Sequence, residues 1–414
     1  RQHRKELQEQ LGNRFYQYAV DEWVYQPDYA REVLLKHFGT LSLKGFGVED
    51  LAFAVIAAGA AFHYASDTRQ DQLRHIAGIS RIEEDRYVWL DKFTVRNLEL
   101  VGSSNEKAVT LLDVLDETLT PMGGRLLKRW ILLPLKDVAA IQERQEAVHY
   151  FLHHPEFSGI LSGQLRQVGD LERLISRVSL GKATPRDVQQ LQRSLELVEQ
   201  IREACLRTDN SAIRTIADQL NPCRIIRDRI SLELHADPPA LVNKGGVIRE
   251  GVSPELDQLR EIAFNGKDYL LKVQQREAER TGITSLKVGF NNVFGYYIEV
   301  THTHKDKVPA EWTRKQTLTN AERYITAELK EYEEKILGAE EKILALETRL
   351  FAELVQAIAE YIAPVQLNAS LLARLDVLQS FAAVATKWDY TRPEVNDSRI
   401  LDIKGGRHPV IERQ

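Results

Sequence analysis

The sequence predicts a mainly α protein with a small α/β domain at its start and a β-rich insertion carried between two long antiparallel helices. Three observations lead to this class. Apolar residues recur at helical spacing over most of the chain. Between Thr284 and Arg323 the period switches from about 3.6 to about 2. Beyond that insertion the helical period resumes.

Residues 1–89 mix helical stretches, Tyr29 to Phe38 and Glu49 to Tyr64, with a hairpin expected around Ile79 to Trp89; Gly45-Phe46-Gly47 punctuates them. Residues 90–266 read as helical, interrupted by Pro121, Pro134, Pro155, Pro185 and Pro222, with amphipathic segments at Asp137 to Leu152 and Pro185 to Cys205. An outgoing arm begins at Ser253-Pro254, an N-cap followed by a first-turn proline. It carries Leu256, Leu259, Ile262, Tyr269, Leu270 and Val273 toward a stop at Gly282. The returning arm starts near Glu328. Leu329, Tyr332, Ile336, Ala339, Ile343, Leu346 and Leu350 follow at alternating steps of three and four, the seam of one helix lying along another. At a rise of about 1.5 Å per residue each arm is roughly 40–50 Å long. Pro364 splits the return from a last helix, Leu367 to Trp388.

Inside the insertion, Leu286, Val288 and Phe290 alternate with Ser285, Lys287, Gly289 and Asn291. Asn291-Asn292 reads as a tight turn into a strand from Val293 to Val300, and Thr313 to Asn320 as a third, polar strand. Residues 280–325 hold seven Lys or Arg and four acids, a net positive tip on a chain whose formal charge is -5. Cations beside Asn, Gln and Thr donors suit phosphate contact, while the same lysines would equally guard a solvated sheet edge.

Three segments of this insertion and arm, Leu286–Val300 (LKVGFNNVFGYYIEV), Arg314–Ile325 (RKQTLTNAERYI) and Glu328–Ile336 (ELKEYEEKI), resemble the clamp and returning lever of the MutS family of bacterial mismatch-repair proteins. Leu90–Leu100 (LDKFTVRNLEL) and Thr120–Trp130 (TPMGGRLLKRW) resemble the start of that family's core domain, and Gly406–Val410 (GRHPV) the entry to its ATPase domain. The resemblance implies a connector part at 1–89, core and outgoing lever at 90–266, clamp at 267–326, returning lever at 327–390 and the start of an ATPase domain at 391–414. It implies duplex DNA as partner, contacted without sequence preference by Lys287, Asn291, Asn292, Lys315, Thr319, Asn320 and Arg323, the polar tip residues inside the clamp motifs. For a longer parent it further implies ATP and Mg as cofactors, a homodimer and a downstream factor of the MutL type. The chain starts at Arg1 and is expected to be a piece of such a parent.

No G-x-x-x-x-G-K-[ST] loop occurs: Gly181-Lys182-Ala183 and Gly266-Lys267-Asp268 lack the upstream glycine and the hydroxyl that phosphate and magnesium need. The family's amino-terminal mismatch-reading domain, with its Phe-x-Glu wedge, has no counterpart either, so this stretch is expected neither to turn over ATP nor to read a mismatch, with no cofactor of its own. With 43% hydrophobic and 28% charged residues the chain can build cores without resembling a membrane protein, and no uninterrupted apolar run approaches the roughly 20 residues of a bilayer span. Two cysteines, Cys205 and Cys223, fit a reducing, cytoplasmic compartment and a nucleoid-associated role. The pair His302 and His304 lacks a third metal ligand at fixed spacing, and Glu331, Glu333, Glu334, Glu340 and Glu341 fall opposite the apolar seam as a solvated face. Tyr296-Tyr297 invites base stacking, but duplex DNA offers no unstacked base and one tyrosine must face inward. Gly123-Gly124 reads as a close helix crossing rather than a phosphate loop. Two other classes compete. One is the hinge of a chromosome-organising ATPase, whose arms run far longer; the other is a recombination-type paralogue, which can lack the clamp or the connector.

Overall fold

Capping residues decide where the helices begin. The computed structural model describes residues 19–413 except 70–72, 74, 83, 104, 106–107 and 292–294. Its helices α1 to α11 are Pro27–Phe38, Ala52–Arg69, Lys92–Asn97, Leu111–Leu115, Pro121–Leu132, Val138–His153, Pro155–Leu165, Leu171–Ser179, Pro185–Leu206, Ser211–Gln219 and Arg224–Glu233. Then come α12 (Pro254–Thr281), the strands β1 (Lys287–Asn291), β2 (Gly295–Thr301), β3 (Thr313–Thr317) and β4 (Ala321–Ile325), and finally α13 (Ala327–Ala359) and α14 (Ile362–Trp388). By contacts the chain divides into two units, one comprising residues up to Lys182, Leu197–Asn221 and Tyr361 onward, the other Ala183–Glu196 and Pro222–Glu360.

In the first unit α1 and α2 pack over Leu34, Leu43, Val48 and Val55. The second of these helices starts three residues later than the sequence suggests, because Glu49 is spent on the loop before it. Its carboxylate accepts the Leu43 N–H at 2.8 Å and the Ser42 hydroxyl at 3.1 Å. The expected hairpin at Ile79 to Trp89 does not form among the described residues. Arg86 to Val88 instead pairs with a distant partner: Val88 N–H donates to Pro134 O at 2.7 Å, and Lys136 N–H to Arg86 O at 3.0 Å. That partner stretch supplies the alternation that looked local.

The centre of this unit is α14, packed by α5, α6 and α8. It is long and apolar enough, by length and composition, to cross a membrane, contrary to the expectation from uninterrupted runs; most of that stretch is buried against its neighbours, as in a core helix. Asp376 in its middle accepts the Leu119 and Thr120 N–H groups, each at 2.8 Å, and the Thr120 hydroxyl at 2.6 Å. A Cβ on Gly123 would lie 2.1 Å from the Asp376 carboxylate, so this glycine permits the close crossing of α5 and α14.

In the second unit α12 and α13 run antiparallel as the two arms. Ser253 caps α12 through the Leu256 N–H at 3.3 Å, and Gly282 ends it in the left-handed region at φ 65. Among the described residues the buried positions on α12 are Leu256, Ala263, Leu270, Val273 and Glu277, four of them a heptad apart, and Leu270 and Val273 pack with Leu329 of α13. Ile262, expected in the seam, is 50% exposed because the heptad passes through its neighbour Ala263. The side chains of Tyr332 and Ile336 lie outside the described residues. At the arms' base Arg260 meets the fully buried Glu347 at 2.5 Å and donates to Ile248 O at 2.7 Å. Toward the tip Arg276 reaches Glu328 at 2.5 Å, and Tyr269 donates to the same carboxylate.

Candidate nucleic-acid interface

The insertion folds into a four-stranded antiparallel sheet of order β1-β2-β4-β3. Where the sequence suggests one strand from Thr313 to Asn320, the chain turns after Thr317, with Leu318 N–H donating to Ala321 O at 2.8 Å, and returns as β4. His302 to Lys307, expected as a strand end at Thr301–His304, forms a 3₁₀ turn instead, and the His302 ring is bonded to Leu318 O at 3.0 Å. One sheet face carries Ile298, Val300 and Tyr324, which join Ile283, Leu286, Trp312 and Leu329 in a common core.

Because strand residues alternate faces, the register lines up Lys287, Glu299, Arg323 and Gln316 across all four strands on the opposite face. Arg323 donates to Glu299 at 2.9 Å and to Gln316 at 2.9 Å, and its guanidinium lies 4.3 Å from the centre of the Tyr297 ring. Tyr297 in turn spreads over Gly289, where a Cβ would come within 2.8 Å of the ring. Tyr296 packs against the core from the other face, so the tyrosine pair divides as alternation requires.

Three of the four acids of the tip are paired internally, while Asp306 is exposed. Glu322, almost fully buried, accepts from Tyr324 Oη and lies 3.3 Å from Arg314 and 3.5 Å from Lys305. Those contacts, the Tyr324 hydroxyl first, hold its carboxyl below the usual range, while burial and the facing carboxylate push Tyr324 up to about 12. Glu311 pairs with Arg280 at 2.9 Å and Glu299 with Arg323. Among the described residues Lys287, Lys307 and Lys315 are exposed and form no ion pair. Lys287 starts one edge strand and Lys315 sits at the irregularity between Arg314 and Gln316 on the other.

Of the residues expected to contact phosphate, Lys287 and Lys315 are thus exposed cations, and Thr319 and Asn320 occupy the exposed β3–β4 turn. Asn291 closes β1, half-buried and already bonded. Asn292 falls outside the described residues. Arg323 is largely committed to its neighbours. Lys307, outside the motifs in the turn after β2, is a further exposed cation.

Each arm holds the sheet by a side chain. Gln274 of α12 accepts the Val288 N–H on edge strand β1 at 2.9 Å, and Glu333 of α13 accepts the Tyr296 N–H at the start of β2, beyond the end of β4, at 3.2 Å. Two backbone donors left without ladder partners are satisfied by the levers.

Residues 93–382 match the family model for MutS domain III, and residues 1–77 that for MutS domain II. The chain belongs to the MutS family. It is 60% identical over its whole length to a DNA mismatch repair protein MutS of Parabacteroides distasonis, of which it covers 48%. It is 58% identical over 98% of its length to that of Phocaeicola vulgatus, covering 46%, and 53% identical over its whole length to that of Flavobacterium psychrophilum, covering 48%. The chain spans about half the length of the curated relatives it matches. The sheet and both of its arms lie within the stretch that matches MutS domain III.

Proposed function

We propose that this chain grips the phosphate backbone of duplex DNA without sequence preference, as the clamp and lever portion of a mismatch-repair protein. One observation carries the reading: the clamp's carboxylates at Glu299, Glu311 and Glu322 are neutralised by its own arginines and Lys305, leaving Lys287, Lys307 and Lys315 exposed on a small domain. Such cations, with the Thr319 and Asn320 donors, position a protein on DNA without reading bases. Arms fastened to the sheet by Gln274 and Glu333 would transmit clamp closure along their length, since a small rotation at one end of a long lever becomes a large displacement at the other.

The relatives' name, DNA mismatch repair protein MutS, supports the repair branch over a recombination-type paralogue. In the longer parent we assign ATP and Mg to residues outside this chain, whose sequence holds no phosphate loop, and place the assembly as a cytoplasmic homodimer that hands on to a MutL-type factor. Replacing Lys287, Lys307 and Lys315 together by Ala tests the grip: duplex affinity should fall about tenfold or more with the circular dichroism spectrum unchanged. Unchanged affinity would remove the clamp as the contact.

A further inference from the structure

A cavity of about 480 Å³ lies in the first unit between α5, α6, α14 and the extended stretch that follows α14. Its volume falls in the ~300–1,000 Å³ range of small-molecule sites. The walls are apolar, formed by Trp130, Leu152, Phe381 and Pro393 among others. The extended stretch is pinned across it: Gln145 donates to Pro393 O at 3.0 Å, Gln142 to Val395 O at 3.1 Å, and Arg392 pairs with Glu146 at 2.6 Å.

Two polar groups on this wall lack an acceptor. Arg144 stacks its guanidinium 3.4 Å from the centre of the Trp130 ring and, among the described residues, makes no ion pair or hydrogen bond. Its neighbours are otherwise matched, Arg392 with Glu146 and Arg374 with Glu143 at 3.9 Å. Tyr390 buries its hydroxyl with no hydrogen-bond partner. Burial, with Arg374 adding to it, pulls the Arg144 guanidinium down to about 10, so it remains charged at neutral pH. A cation facing an apolar cavity is half of a pair. An arginine in such a place binds a carboxylate through two parallel N–H donors, and the apolar walls take up a flat body behind it.

We propose that this cavity binds a small aromatic carboxylate, its carboxylate on Arg144 and its ring between Leu152, Phe381 and Pro393. The cavity is built by residues of the first unit alone.

Calorimetric titration of the chain with 2-naphthoate and with neutral 2-naphthamide tests it. The carboxylate should bind saturably with one site per chain, about tenfold tighter than the amide, a ratio typical of one hydrogen-bonded charge. Arg144→Gln should bring 2-naphthoate down to the level of the amide and leave amide binding unchanged. The comparison of the two ligands on the unaltered chain stands even if the variant misfolds. Equal affinity for both ligands, no saturable binding of either, or a carboxylate preference that survives in a folded Arg144→Gln would each overturn the assignment.

Discussion

Arg323 lies over the ring of Tyr297, its guanidinium 4.3 Å from the ring centre, while donating to Glu299 at 2.9 Å. An arginine expected from its motif to contact phosphate instead ties β4 to β2 and, through Gln316, to β3. This separates residues that build the clamp from residues free to touch a ligand.

Arg323→Ala should therefore act first on the sheet. Losing the stacking and the partly exposed ion pair should cost about 1 kcal/mol locally, read as faster amide exchange in β2 and β4. Lys315→Ala should leave that exchange unchanged and reduce the slope of log affinity against log salt by about 0.9, the signature of one lost phosphate contact. If Lys315→Ala loosens the sheet and Arg323→Ala does not, the division of roles is reversed.

Gly123→Ala should destabilise the first unit. The new methyl would meet the Asp376 carboxylate that holds Thr120, the N-cap of α5, where both partners are buried and cannot withdraw. Overpacking of this kind costs on the order of 1–3 kcal/mol, measurable as a lower denaturation midpoint. An unchanged midpoint would show that α5 and α14 have room to separate.

At the arms' base Glu347→Ala would leave Arg260 without its buried partner. The change should cost about 1–3 kcal/mol, since Arg260 keeps Asp257 at 3.4 Å but loses its buried partner and the buried Val247 N–H loses its acceptor. Exchange at the lever bases should rise, and the core around α5 and α6 should be unaffected.

The Glu328 carboxyl is held below its ordinary value by Arg276 first and Tyr269 second. Its folded pKa lies under its unfolded one, so its stabilising contribution is present above about pH 4.5 and is lost as pH falls through the folded value. Glu328→Gln should therefore melt lower than the unaltered chain at pH 7, and the two should converge as the pH falls below the folded value. A gap that widens toward acid would contradict the assignment. Both partners are partly exposed, so the difference should also shrink with added salt.

Much of the lever architecture was legible because local signals agreed: a Ser-Pro start, a left-handed glycine stop and a seam of three-and-four steps. Failures came where a distant residue decided the outcome. Tyr87 bridges to Leu135 rather than to a strand of its own hairpin, Ala263 takes the seam position that the larger Ile262 seemed to claim, and Glu49 caps a loop instead of opening a helix. The Thr313 to Asn320 stretch is polar apart from Leu318, so nothing in its period marked the turn that makes four strands of three. The candidate site was half legible. Charge identified the tip, but which cations remain available depends on pairings across the sheet, such as Arg314 with Glu322, that no spacing reveals.

The most direct measurement is fluorescence anisotropy of matched and singly mismatched duplexes titrated with this chain at several salt concentrations. The account predicts equal, weak affinity for both, in the ~10⁻⁴–10⁻⁶ M range of non-specific binding near physiological salt, falling steeply and in parallel as salt rises. A tenfold preference for the mismatched duplex at fixed salt, or binding that does not weaken with salt, would contradict it.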